Sequence, residues 1–261
     1  MEEEKEKNLD FDTILENYVG GGGKWQWSKI FWLAPGHIAF GIPVLLHIFA
    51  AYTPPHRCFI NGCDSNVNPA FEASFLDYST PRDHASSTFL RDREDFDPCQ
   101  SYSKIRSTCS ARSFDQKTRQ NCSKYVYDHS EFSETLTTKF DLVCDKVNQR
   151  HSLGSIMMVG LLTGSLLGGP LSDKIGRKNT ILLAVIIVVP CLIGGGYAKD
   201  FATYAILRYI SCTVIVFGWI GSHSIRLEYI SRNKRALIMA LDGTASYFLN
   251  LTLPLIGKLS H

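Results

Sequence analysis

Gly169-Pro170-Leu171-Ser172-Asp173-Lys174-Ile175-Gly176-Arg177-Lys178 is a short polar hinge set between two long apolar runs. Gly169 and Gly176 permit close approach and a tight turn. Asp173 can pair with a nearby cation or cap a helix N-terminus. Lys174, Arg177 and Lys178 crowd positive charge onto the hinge, which is how short loops on the cytoplasmic side of a membrane read. The runs on either side are therefore read as membrane helices rather than as helices of a soluble core.

Working outward, five stretches approach the roughly 20 apolar residues needed to cross a hydrocarbon layer of about 30 Å. They run from about Ile30 to Tyr52, His151 to Leu171, Asn179 to Ala198, Phe201 to His223 and Ala236 to Gly257. One such run could be buried in a soluble fold, but five in one chain could not easily be. The mean hydropathy near zero hides a chain split into very apolar and very polar blocks. A net charge of +2 makes no electrostatic case for nucleic acid. Met1 to Lys7 are acidic and polar with no apolar stretch behind them, so no signal peptide is expected. The second basic hinge, between the fourth and fifth runs, carries Arg226, Arg232, Lys234 and Arg235, whereas the turn between the third and fourth has Lys199 beside Asp200. The two basic hinges are assigned to the cytoplasm. That puts the N-terminus inside and the end of the fifth span outside.

Residues 53–150 then form a large extracellular loop, polar and mixed in charge, with six of the eight cysteines: Cys58, Cys63, Cys99, Cys109, Cys122 and Cys144. An even number in an extracytoplasmic segment reads as a disulfide framework, with all fifteen connectivities open. A zinc site is disfavoured because no paired C-x₂-C spacing occurs. Asn121-Cys122-Ser123 is a glycosylation sequon in the same loop. Asn250-Leu251-Thr252 lies inside the fifth run and is read as a chance match.

The hinge at Gly169–Lys178 resembles the loop motif of the major facilitator superfamily, and Glu228 followed by Arg232 and Arg235 resembles the charged pattern of the next cytoplasmic loop. Three stretches resemble the organic cation, anion and carnitine transporters within it. They are Phe11-Asp12-Thr13-Ile14-Leu15 with Gly20 and Gln26, then Tyr52-Thr53-Pro54-Pro55-His56-Arg57-Cys58, then Thr138 to Asp145. The resemblance implies an all-α integral membrane fold: an incomplete N-terminal bundle, five of twelve transmembrane helices, with a disulfide-rich extracellular loop. Its parts are a cytoplasmic lead-in at 1–29, helix 1 at 30–52, the loop at 53–150, and helices 2–5 at 151–261 with motif loops at 172–178 and 224–235. Gly169, Asp173, Gly176, Arg177, Lys178, Glu228, Arg232 and Arg235 are implied to form a gating network. Gly160, Gly164 and Gly168, spaced by four, leave one helix face bare for a close neighbour.

Ionisable residues in a membrane are costly and face a cavity or a partner. Arg208 is expected about 10 Å below the outer surface and Asp242 about 9 Å above the inner one, too far apart in depth to pair. Arg208 occupies an arginine position of the family, and Phe40 and Trp219 match aromatics of its substrate cavity. Asp242 stands where cation-carrying relatives place a glutamine, and a carboxylate there would attract cations or carry a proton. Val216 and His223 depart from the lysine and tyrosine of the cation subgroup. His37, His47, Cys191 and Cys212 are read as packed side chains. The expected function is alternating-access transport of small organic ions at the plasma membrane, the chain being a truncated part inactive alone. The other reading is a non-transporting module that displays the loop or pairs with a C-terminal half or a full-length relative. The lipid bilayer is the expected surroundings; no cofactor or metal is expected, and no nucleophile motif suggests an enzyme.

Overall fold

A computed structural model describes residues 23–67, 69–82, 96–106, 108–130, 132 and 134–259, without the side chains of 33–40, 45–48, 242, 246–247, 249–251 and 253–259. The lead-in residues Phe11–Leu15 and Gly20 therefore lie outside the described residues, as do the side chains of Phe40, His37, His47 and Asp242. The chain divides into two compact units, Met1–Ile48 with Leu153–His261, and Phe49–Ser152.

The first unit is helical: α1 (Lys24–Ala50), α4 (Val147–Ile175), α5 (Arg177–Gly196), α6 (Phe201–Glu228) and α7 (Arg232–Leu259). Cys144–Ile175, Arg177–Gly196 and Phe201–Glu228 are long and apolar enough to cross a membrane. Their surface supports that reading, because Met158, Val159, Leu162, Leu166 and Leu167 on α4, and Leu182, Val185, Ile186, Val189 and Ile193 on α5, are all exposed. Apolar surface of this extent suits hydrocarbon and not water. Half of the apolar window of α6 is buried, against 28% for α4 and 22% for α5, so α6 is the inner helix of the three.

Its packing follows from side-chain size. Ala184 and Val188 of α5 meet Val214, Ile215 and Phe217 of α6, with Val44 of α1 and Leu171 of α4 against them. Toward α4 there is no room for side chains. A Cβ on Gly160 would meet Tyr209 O at 3.0 Å, one on Gly164 would meet Thr213 O at 2.5 Å, and one on Gly168 would meet Ile220 Cδ1 at 2.9 Å. The four-residue glycine spacing thus becomes a backbone-to-backbone contact. Ile30 of α1 packs with Ile230 of the α6–α7 turn and Ile238 of α7 in a second cluster.

The structure corrects the motif loops expected at 172–178 and 224–235. Helix α4 continues to Ile175 and α5 starts at Arg177, so Gly176 alone makes the turn, at φ +87°. A left-handed backbone angle of that kind is open to glycine. Residues 224–228 likewise belong to α6 and 232–235 to α7. The helices also begin earlier or end later than the apolar runs, since helix geometry extends past the hydrocarbon layer into polar sequence. At the other turn Asp200 caps α6, accepting from Thr203 N at 2.8 Å and Thr203 Oγ1 at 3.0 Å. These bonds hold its carboxyl below the usual range.

The second unit has little regular structure. Strand β1 (His56–Cys58) pairs antiparallel with β4 (Tyr125–Tyr127), and β2 (Gln100–Lys104) with β3 (Phe114–Asn121). Short helices α2 (Leu76–Ser79) and α3 (Leu136–Phe140) flank them. Two-stranded pairs are marginal by themselves. Three disulfides join the pieces: Cys58–Cys122, Cys63–Cys109 and Cys99–Cys144. The cysteine-rich loop therefore uses all six of its cysteines, in one of the open connectivities. Arg57 ties the remainder. Its guanidinium donates to both oxygens of Asp64 at 2.9 and 2.5 Å and to the carbonyls of Cys58, Ala70 and Phe71, which spends its five N–H groups. Both side chains are almost fully buried, so loss of either partner would strand a charge, at a cost of about 3–5 kcal/mol.

Replacing Gly164 by alanine is expected to lower the thermal unfolding midpoint of the detergent-solubilised chain, because the added methyl must displace the Thr213 carbonyl, at a cost of about 1–3 kcal/mol. The matched Gly169→Ala change, with open space around it, is expected to leave the midpoint unchanged or raised. Equal losses at both positions would refute the close contact. In the second unit, burial lowers the affinity of His56 for its proton, the Pro54 carbonyl works against this, and Arg150 adds to it. The unfolded chain therefore binds the proton more readily, so stability is full above the ordinary histidine value of about 6.5 and falls as pH drops below it. Amide exchange in residues 49–152 is expected to quicken between about pH 7.5 and 5.5, and His56→Gln to flatten that dependence.

Candidate functional site

The helical unit buries a cation at Arg208. Arg208 lies two turns into α6 and is 7% exposed. Its Nη2 donates to the Pro43 carbonyl of α1 at 2.7 Å and lies 3.9 Å from Met157 Sδ of α4. Its Nε is buried without a protein acceptor among the described residues. Among the described residues no carboxylate pairs with it. A guanidinium so placed clamps three helices while keeping a donor in reserve. Below it Tyr209 Oη bonds Thr163 Oγ1 across the glycine contact, at 3.2 Å. Sequence reasoning singled out Arg208 but not its partners, because a backbone carbonyl and a thioether leave no pattern in a sequence.

Trp219, eleven residues further along α6, is half exposed on an otherwise buried stretch, with its ring 6.2 Å from that of His223. It does not touch Arg208 through any described contact. Phe40 and Asp242 carry no described side chain, so the structure neither joins them to Arg208 nor separates them. Cys212 is buried and Cys191 half-buried, and both are free.

At the other end of the bundle, Arg177 bonds Asp173 one turn earlier, across the Gly176 turn, and its Nε bonds Glu228 Oε1 of α6 at 3.1 Å. Asp173, Arg177 and Glu228 are thus brought together from both charged motifs. Asp173 and Glu228 are largely exposed, where each such pair is worth about 1 kcal/mol or less. Arg235 donates to the Leu227 carbonyl at 3.3 Å. Lys178 and Arg232 are exposed, and Gly169 lies within α4. Arg226, which the sequence reading used only for charge, is fully buried, with Nε on the Ser222 carbonyl at 3.2 Å.

The cysteine-rich unit offers two further places. His56, Cys99 and Cys144 gather their ligand atoms within 4.8 Å. Cys99 and Cys144 are bonded to each other, which removes both thiolates a metal would need. A cavity of about 300 Å³ is lined by Phe59, Asn61, Tyr102, Lys104, Gln120 and Asn121. Most of its lining is polar.

Comparison with known proteins agrees with this geometry. The family described as "Sugar (and other) transporter" matches residues 109–220. The chain is 29% identical over 240 residues to solute carrier family 22 member 6-B of Xenopus laevis, covering 90% of this chain and 42% of that protein. It is 28% identical over 249 residues to human solute carrier family 22 member 10, covering 91% and 44%. It is 26% identical over 262 residues to a human steroid transmembrane transporter of the same solute carrier family, covering 89% and 43%. Over most of its own length the chain is similar to members of solute carrier family 22. The relatives are named as solute carriers or a transmembrane transporter, and three helices of this chain are long and apolar enough to cross a membrane. The chain spans less than half the length of the curated relatives it matches. The Gly169–Gly176 part of the facilitator motif accordingly falls within the matched region, at the turn where α4 gives way to α5.

Proposed function

We propose that this chain supplies part of a carrier for small organic ions that works by alternating access at the plasma membrane. The observation that carries the reading is the buried Arg208, whose Nε has no protein acceptor among the described residues. A charge held at that depth is retained for a partner or a substrate. Arg208, Trp219, Phe40 and Asp242 line the substrate path in this reading, and the cation of Arg208 and the carboxylate of Asp242 set which charge is accepted. Rocking of one bundle against another needs a second set of helices, from the same chain or a partner chain. The Asp173–Arg177–Glu228 cluster, with Gly169, Gly176, Lys178, Arg232 and Arg235 around it, latches the cytoplasmic end in one state and lets go in the other. Exposed pairs suit that role because they break at little cost.

The N-terminus faces the cytoplasm and the cysteine-rich unit faces outward. Support comes from the basic turns, the three disulfides and the Asn121 sequon, whose asparagine is exposed at the end of β3. In this arrangement α1 and α7 span the bilayer beside α4, α5 and α6.

Uptake of labelled organic anions and cations is expected in vesicles holding this chain with a complementary helical bundle of the family, and not with residues 1–261 alone. Arg208→Met is expected to cut anion uptake about tenfold, the worth of one charge-assisted hydrogen bond, and Arg208→Lys to retain part of it. Asp242→Asn is expected to cut cation uptake by about the same factor. Unchanged uptake in the Arg208 and Asp242 variants, at equal surface expression, would sink the assignment. For the topology, a glycosidase-sensitive mass shift is expected in expressing cells and should vanish in Asn121→Gln; a shift that survives would place the sugar elsewhere.

A further inference from the structure

The three disulfides stand in different surroundings. Cys58 is fully buried in the cluster with Ile60 and Phe114. Cys144 is partly buried, with His56 Nε2 4.0 Å and the Pro98 carbonyl 3.8 Å from its sulfur. The Cys63–Cys109 bridge differs from both. Cys109 is exposed, and the Lys104 ammonium sits 3.3 Å from Cys63 Sγ and 4.0 Å from Cys109 Sγ. The Asn61 carbonyl holds that ammonium at 2.8 Å. Gly62, at φ +73°, leaves it room, because a Cβ there would lie 3.2 Å from Lys104 Nζ. Cys109 Sγ in turn lies 3.2 Å from the Gly62 carbonyl.

These neighbours favour the open form of this bridge. An ammonium beside a sulfur stabilises the thiolate and makes it the better leaving group. The carbonyl beside Cys109 is an acceptor for a thiol proton. Neither of the other two bridges has a lysine or arginine so placed among the described contacts.

We propose that Cys63–Cys109 is a thiol-exchange site, opened by small soluble thiols that attack the exposed sulfur of Cys109. The incoming thiolate forms a bond to Cys109 Sγ as the Cys63–Cys109 bond breaks, and the electron pair departs on Cys63 Sγ, facing Lys104. The product is a mixed disulfide on Cys109. A second thiol attacks the small-molecule sulfur and releases the oxidised small disulfide, leaving Cys109 as a thiol directed at Gly62 O. Two small thiols are oxidised and one protein disulfide is reduced. Opening releases a tether across 46 residues while the bonds from Cys58 and Cys99 still hold the unit. The exchange rests on the side chains of this unit and is independent of the transport reading.

The test treats the full chain in detergent with graded glutathione, traps free thiols by alkylation and maps them by mass spectrometry. Cys63 and Cys109 are expected to be labelled first, about tenfold faster than the other four, with glutathione recovered on Cys109. Lys104→Met is expected to slow opening about fivefold, and Lys104→Arg to restore it. Another bridge opening first, or Lys104→Met opening at the wild-type rate, overturns the proposal. Should Lys104→Met fail to form its disulfides, the order of opening in the wild-type chain decides alone.

Discussion

The contact between α4 and α6 at Gly164 is the constraint on which the helical unit depends. Helices in lipid gain nothing by hiding apolar side chains from a solvent that is itself apolar, so they are held by close packing and by polar groups that find each other. The glycines at 160, 164 and 168 bring the α4 backbone against the turns of α6 that start at Tyr209, Thr213 and Phe217. At that separation Tyr209 can reach Thr163 and Arg208 can reach past Met157 to the Pro43 carbonyl. A bulkier face on α4 would push α6 outward and take both bonds with it. The small residues thus place the one buried guanidinium on which the substrate reading rests.

The cysteine-rich unit solves the opposite problem. It has too few apolar residues for a core, its main cluster being Cys58, Ile60 and Phe114 with partly buried neighbours. Covalent bonds and one buried ion pair replace the missing burial. Arg57 and Asp64 lie seven residues apart, and the guanidinium gathers the loop between β1 and α2 around itself through three backbone carbonyls. Burial also pushes the Tyr127 hydroxyl up, helped by Asp141, so that it stays a donor to that carboxylate at 3.0 Å.

Function separates along the same division. The helical unit holds its charges at two depths: Arg208 well inside α6, and Asp173, Arg177 and Glu228 at the turn marked by Gly176. The deep charge is dry and clamped, which suits recognition. The shallow cluster is wet and weak, which suits an equilibrium between two arrangements of nearly equal energy.

Much of this was legible in the linear chain because the signals are local. Apolar runs mark the helices, since every backbone group in lipid must bond within its own segment. Glycine spacing marks the packed face, cysteine number marks the framework, and the Gly169–Lys178 motif marks the resemblance to the facilitator superfamily. The limits of local pattern are equally plain. Residues 172–175 carry the polarity of a loop yet continue α4, because a helix needs no apolar side chains once it leaves the hydrocarbon. The pairing of Cys63 with Cys109, the nearness of Lys104 to that bond, the grip of Arg57 on Asp64 and the reach of Arg208 to Pro43 were decided by the tertiary structure. Each joins residues whose distance apart in the chain has no bearing on their distance in space, and no periodicity records such a meeting.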